Sequence, residues 1–402
     1  MSNVSMFRSL WNRQQSAKET SIIGYCFGYS CCNGFPDDSY HLLPAKENIQ
    51  ITRHENDDPN LQVFSFSSIK AATNNFSNDS KLGEGGYGPV YKNHTFAAYL
   101  QEVLEFQGKL PNGLEIAVKR LSKSSNQGFE EFKNEVTLTA RLQHVNLVRV
   151  LGICTEKEEK LLVYEFMPNK SLDFYLYDWR RRVSIIEGIT QGLLYLQEYS
   201  NYTIIHRDIK ASNILLDYEM NPKISDFGMA KFFKKDELEA NTGRIVGTYG
   251  YVPPEYVRKG IYSTKYDVYS FGVLLLQIIS GKRNSSLYGC HENLNLLEYA
   301  YELWKQGREA EFFDASLDDS SSSCKLIRCM QLALLCVQEN PADRPSMVKV
   351  FTILKNENSV AISVPKQPAY SITTYERKES IDIGRKKVFS VNDASITQVE
   401  PR

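Results

Sequence analysis

The stretch Ile204–Leu216, IIHRDIKASNILL, decides the reading. Apolar pairs of strand character stand at its two ends. Between them lie His206, Arg207, Asp208, Lys210 and Asn213. Polar groups packed this densely against apolar chain are costly to bury unless they perform chemistry. Asp208 can accept a proton from a hydroxyl, Lys210 can neutralise a phosphate and Asn213 can hold a metal ion. Thirteen residues beyond Asn213, KISDFG adds a second carboxylate, Asp226, followed by Phe227 and Gly228. One carboxylate and one amide oxygen suit Mg2+, which takes its remaining ligands from phosphate and water.

Upstream, GEGGYGPV has the form G-x-G-x-x-G-x-V, with Gly83, Gly85, Gly88 and Val90. Glycines let backbone N–H groups approach phosphate oxygens without a Cβ in the way. Alone this is a weak signal. A dinucleotide fold uses the same glycines, but there a helix follows directly; here PVYK reads as a strand. EIAVKR then ends an apolar strand in Lys119, and a lysine facing the interior needs an anionic partner. Glu135, in the helical segment FEEFKNEVTLTARL, can supply it. A helix is expected from about Glu130 to Leu142.

The chain has 402 residues, 42% apolar and 24% charged, a globular composition. A net charge of −1 gives no field favouring nucleic acid or a membrane surface, so no nucleic-acid partner is expected. The eight cysteines show no metal-ligand spacing and read as reduced thiols. SIIGYCFGYSCC is too short to span a bilayer, and no transmembrane segment is expected in this chain. Residues 1–60 read as a disordered N-terminal segment. Order is expected from Phe64, with Ile69, Ala72 and Phe76 at helical spacing behind a serine cap, inside a lead-in at 61–80. Strand signals run from Lys81 to about Lys160. Helical signals dominate Ser171 to Asn356, among them the stripe Val183, Ile186, Ile189, Leu193 and Leu196. DVYSFGVLLLQIIS is apolar nearly all round and should be a buried central helix. The last part, 357–402, lacks periodicity and reads as a C-terminal tail.

Together these motifs resemble a eukaryotic protein kinase over about Lys81–Leu354. The resemblance implies an α+β, two-lobed protein kinase fold: a β-rich N-lobe at 81–166 with one key helix, and a helical C-lobe at 167–356. It implies ATP and Mg2+ as cofactors. Gly83, Gly85 and Gly88 would cover the phosphates, with Leu82, Val90 and Ala117 above adenine and Leu215 below. Glu165 and Met167 would offer hinge backbone groups, with Tyr164 restricting the pocket behind. Lys119 would hold the α- and β-phosphates and pair with Glu135. Asp208 would be the catalytic base, with Lys210 beside it, and Asn213 and Asp226 would hold the metal. Glu255 would pair with Arg344, and Asp267 would brace the catalytic loop. Thr248 would contact substrate and that loop. Arg207 implies activation by phosphorylation between Asp226 and Glu255, with Thr242 as first candidate.

FSFSSIKAATNNFSNDSKLGEGGYGPVYK, MPNKSLD, NPKISDFGMAK and LLCVQENPADRPSM are similar to plant receptor-like kinases, best to the S-domain (G-type lectin) kind. That family implies serine/threonine specificity, protein substrates, other receptor-like kinases as candidate partners, and a cytoplasmic place at the inner face of the plasma membrane reached through partners. It normally carries a lectin region and one membrane span, which are not seen here. Three departures stand out. Fifteen residues, Asn93–Gln107, interrupt VYKGKLP, and their apolar spacing predicts a short amphipathic helix. The connection between Tyr177 and Trp179 is shorter than the family's. Thr139 stands where the family is apolar, in the column that reaches Phe227. The alternative reading is a kinase-like scaffold with weak catalysis.

Overall fold

The computed structural model describes residues 61–85, 88–93, 115–121, 126–139, 141–156, 158–174, 179–234, 237–284, 286, 294–317, 323–356 and 362–369. The insertion beyond Asn93, the connection at 175–178 and the side chain of Thr139 lie outside the described residues.

The N-terminal part is built on strands β1 (Gln62–Val63), β2 (Lys81–Gly85), β3 (Gly88–Asn93), β4 (Ile116–Arg120), β5 (Val150–Cys154) and β6 (Leu161–Glu165), with helices α1 (Phe66–Ala72) and α2 (Asn126–Thr139). The strands form one sheet in the order β1-β5-β6-β4-β3-β2. Only the β1–β5 pair is parallel. Because successive side chains point to opposite faces, β6 splits its residues. Leu161 and Val163 join Phe64, Ile69, Ile116 and Val118 in the core under α1, while Leu162 joins Leu121, Phe132 and Ile153 under α2. Lys119, one residue from Val118 and opposite Leu162, is thereby turned to the α2 face. β1 approaches β5 so closely that a Cβ at Gly152 would stand 2.1 Å from Gln62 O. Only glycine admits that approach.

Helix α1 begins where expected, with Ser65 Oγ accepting from Ser68 N. It ends earlier than the apolar spacing suggested. Asn74, Asn75 and Phe76 have φ of 48°, 58° and 55°, a left-handed turn that no helix can continue. Phe76 still reaches the core partners, stacking near Phe66 and edge-on to Tyr91. The α2 boundaries are also corrected, from about 130–142 to Asn126–Thr139.

The C-terminal part is helical: α3 (Trp179–Leu194), α4 (Pro254–Lys259), α5 (Thr264–Ser280), α6 (Leu296–Lys305), α7 (Ser323–Cys336) and α8 (Met347–Lys355). Helix α5 is buried along almost its whole length, as its sequence requires, capped by Ser263 Oγ accepting from Lys265 N and by left-handed Gly281. Around it pack Ile186, Ile189, Leu193, Leu303, Met330, Leu334 and Val350 in one large core. Three short antiparallel strand pairs accompany the helices: β7 (Thr203–Ile205) with β10 (Lys231–Phe233), β8 (Ile214–Leu216) with β9 (Pro222–Ile224), and β11 (Glu239–Asn241) with β12 (Ile261–Ser263). A β-rich first part and a helical second part give the two-lobed arrangement expected.

One stretch of the expected tail is ordered against the second part. Pro368 bridges to Gln338, Ala369 N donates to Val337 O at 3.2 Å, and Ala369 is fully buried. Gln338 both donates to Lys366 O (2.8 Å) and accepts from Lys366 N (3.2 Å).

Candidate active site

The site begins with Lys119. Its ammonium donates to Asp226 Oδ1 at 2.6 Å and to Glu135 Oε2 at 3.2 Å. The Glu135 pairing agrees with the sequence; the shorter contact is to Asp226, 107 residues away. Burial disfavours the Lys119 charge, but the two carboxylates outweigh it and hold its pKa above the ordinary lysine value. Burial would raise Asp226, yet Lys119, Lys210 and His206 keep it below the usual carboxylate range. Glu135 goes the other way, raised by burial that Lys119 offsets only in part. Tyr164 OH donates to Glu135 Oε1 at 2.5 Å, satisfying the oxygen that Lys119 does not hold. Sequence reading gave Tyr164 a steric role and missed this bond.

The loop after β7 is held from below. Asp267, fully buried on α5, accepts from His206 N (2.7 Å) and Arg207 N (2.9 Å). Burial raises the pKa of Asp267, against the pull of His206 and Arg207. His206 accepts from Asp208 N at Nδ1 (3.2 Å) and pairs at Nε2 with Ser225 O (3.0 Å). These bonds keep Arg207 at φ 66°, a conformation a non-glycine residue holds only when its surroundings impose it. The turn presents Asp208. Its Oδ1 accepts from Thr248 Oγ1 at 2.6 Å, and its Oδ2 accepts from Asn213 Nδ2 at 2.8 Å and lies 3.1 Å from Lys210 Nζ. Lys210 also donates to Thr248 Oγ1 at 2.9 Å.

Asn213 and Asp226 belong to one network. Ser225 N and Oγ both donate to Asn213 O, at 2.9 and 3.0 Å. With its amide nitrogen spent on Asp208, Asn213 has its side-chain oxygen left as an acceptor, and Asp226 is held ionised. An amide oxygen and a carboxylate are the donor set a hard divalent cation takes when phosphate supplies the rest, so these residues fit such an ion.

The other expected residues fall as follows. Gly83 and Gly85 lie on β2 and Gly88 on β3; the tip 86–87 is outside the described residues. Val90 pairs with Lys119 and Ala117 with Tyr164 across the sheet, and Leu82 is exposed on β2. Leu215, on β8, bridges to Ser171 just past Met167. Glu165 does more than expected. Its side chain accepts from Arg149 N (2.8 Å) and Lys223 Nζ (3.0 Å), tying the end of β6 to β9. Glu255 and Arg344 pair bidentately at 2.7 and 2.8 Å. Arg207 donates to Met229 O (2.8 Å) and Tyr256 OH (3.3 Å).

Residues 76–354 match the family described as protein tyrosine and serine/threonine kinase. The chain is 51% identical over 358 residues to cysteine-rich receptor-like protein kinase 21 of Arabidopsis thaliana, covering 84% of this chain and 49% of that protein. It is 53% identical over 320 residues to an Arabidopsis G-type lectin S-receptor-like serine/threonine-protein kinase, covering 77% of this chain and 37% of that protein. With cysteine-rich receptor-like protein kinase 10, also from Arabidopsis, identity is 47% over 392 residues, 95% of this chain and 55% of the relative. The chain thus spans about half the length of the curated relatives it matches. Cysteine-rich and G-type lectin kinds match at similar identity, so the level they share is the receptor-like kinase. Nothing among the relatives or the described residues favours the scaffold reading. The chain belongs to the protein tyrosine and serine/threonine kinase family, its similarity lying with plant receptor-like kinases.

Proposed function

We propose that this chain transfers the γ-phosphate of ATP to serine and threonine hydroxyls of proteins, with Mg2+ as the metal, in receptor-like kinase signalling. The observation that carries the proposal is the hydroxyl of Thr248 donating to Asp208 at 2.6 Å beside Lys210. A substrate hydroxyl needs that same acceptor, and a lysine there can neutralise the phosphoryl group as it moves. Asp208 is the base, Lys210 steadies charge, and Lys119, itself placed by Glu135, grips the α- and β-phosphates. Asn213 and Asp226 hold the metal, which when bound neutralises phosphate oxygens as charge develops. Gly83, Gly85 and Gly88 cover the phosphates. Leu82, Val90, Ala117 and Leu215 enclose adenine, and the Glu165 and Met167 backbone meets its edge. The kinase domain is read as 81–356.

Specificity for serine and threonine is supported by Lys210 and Thr248 and by relatives named serine/threonine kinases. No helix among the described residues is long and apolar enough to cross a membrane. We place the chain on the cytoplasmic side, reaching the plasma membrane through partners that include other receptor-like kinases.

The test is transfer from γ-labelled ATP to a general protein substrate, wild type against Asp208→Asn. The variant should lose at least about a hundredfold, the scale of a general base. Equal rates would overturn the assignment, and label recovered mainly on tyrosine would overturn the specificity.

A further inference from the structure

Helix α2 reaches the Asp226 segment at three points. Glu135 reaches it through Lys119. Glu131 lies against Gly228 so closely that a Cβ there would stand 3.3 Å from the Glu131 Cβ. Asn134 donates from Nδ2 to Gly228 O at 3.1 Å. This third contact is uncharged, and the roles assigned above do not use it.

Asp226 needs such support. Its backbone sits at φ 67° and ψ 71°, left-handed for a residue with a Cβ, and such a conformation persists only when neighbours over-determine it. Lys119 holds the carboxylate end, and the Phe227 ring packs edge-on to His206 with centroids 4.8 Å apart. The chain then passes into Gly228, the residue freest to turn, and Asn134 ties that residue's carbonyl to α2. A side-chain amide can make the bond because it carries donors. A carboxylate of the same shape cannot, and would set oxygen against oxygen.

The geometry points to Asn134 as a positioning residue that sets the Asp226 carboxylate relative to α2, and so governs how readily the metal–nucleotide pair is held rather than proton transfer at Asp208. The inference rests on reading Asp226 as a metal ligand. The full chain is compared as wild type, Asn134→Ala, Asn134→Asp and Asn134→Gln, with phosphate transfer followed against Mg2+ at saturating ATP and against ATP at saturating Mg2+. In Asn134→Ala the half-saturating Mg2+ and the KM for ATP should each rise about five- to tenfold, with kcat at saturation within about twofold. Asn134→Asp should be at least as impaired, and Asn134→Gln, which keeps a donor, should be less so. The melting temperature of Asn134→Ala should stay within about 2 °C of wild type. Unchanged metal and ATP requirements in Ala and Asp would overturn the inference. So would a fall in kcat that tracks a falling melting temperature, since that marks a purely structural bond. Asp226→Asn run in parallel separates the layers. If it keeps wild-type rate and metal dependence, the metal-ligand reading itself fails. If it is inactive while every Asn134 variant behaves as wild type, only the positioning role fails.

Discussion

Single residues here are set by what surrounds their charge. Lys119 is buried yet cationic because two carboxylates share it, and each carboxylate in turn would be intolerable without it. His144 shows the opposite balance. It is half-buried, its Nδ1 accepts from Asn146 N at 3.1 Å, its ring stacks on Tyr195 at 4.9 Å, and burial together with Lys223 pulls its pKa down to about 4. In the unfolded chain the same ring titrates near 6.5. Between those values the unfolded state binds the extra proton, so stability should fall as pH drops from 6.5 towards 4, by at most about 3 kcal/mol. Denaturant melts at pH 7 and pH 4.5 would measure it. His144→Gln should flatten that part of the profile, and an unchanged slope would show that other groups cause it.

Among elements, the β3–β4 hairpin and the segment 362–369 make separate predictions. Asn93 pairs with Ile116 at one end of the hairpin, while Gly88 and Lys119 stand towards the other. The pairs from Val90–Lys119 to Lys92–Ala117 survive and carry the register, so joining Lys92 to Gly108 by deleting 93–107 should change ATP affinity by less than about tenfold, roughly 1.4 kcal/mol. Equilibrium binding of ATP checks this; a thousandfold change would mean the insertion reaches the nucleotide. The segment 362–369 buries Ala369 and satisfies Gln338 on both its donor and acceptor sides. Removing 362–402 leaves those groups exposed and should lower the melting temperature by several degrees, while removing only 371–402 should leave it within about 1 °C. Calorimetry on the two truncations decides, and equal losses would show that the segment is not what stabilises.

At the scale of the whole molecule, the polypeptide between Asp226 and Glu255 links the two parts. Asp226 bonds Lys119 from the sheet, Met229 O and Tyr256 OH accept from Arg207, Thr248 bonds Asp208, and Glu255 closes on Arg344. Arg207 stands among carbonyl, phenol and the Tyr262 ring, with its guanidinium 5.0 Å from the ring centroid. A phosphate in this segment would add the anion that those contacts do not supply. Phosphorylation there should raise activity, Thr242 first, since it is only half-buried and its hydroxyl bonds locally, to Arg244. Phosphopeptide mapping of active protein should find the segment occupied; an active preparation unmodified between 226 and 255 would end this idea.

What the sequence alone determined is the family and the fold class. Lys119, Asp208, Asn213 and Asp226 stood out as candidates because polar groups so dense beside apolar strands need a chemical reason, and strand and helix periods are local. The long apolar run of α5 announced its own burial. What only the tertiary structure decided are pairings between distant positions: Lys119 with Asp226, Tyr164 with Glu135, Asn134 with Gly228 O, Glu165 with Lys223, and the docking of 362–369 on α7. None of these has a periodic or compositional sign. Each depends on which faces meet when the sheet packs on α2 and on the helical part. The left-handed turn at 74–76 belongs with them, because local spacing predicted a helix that tertiary packing of Phe76 did not need.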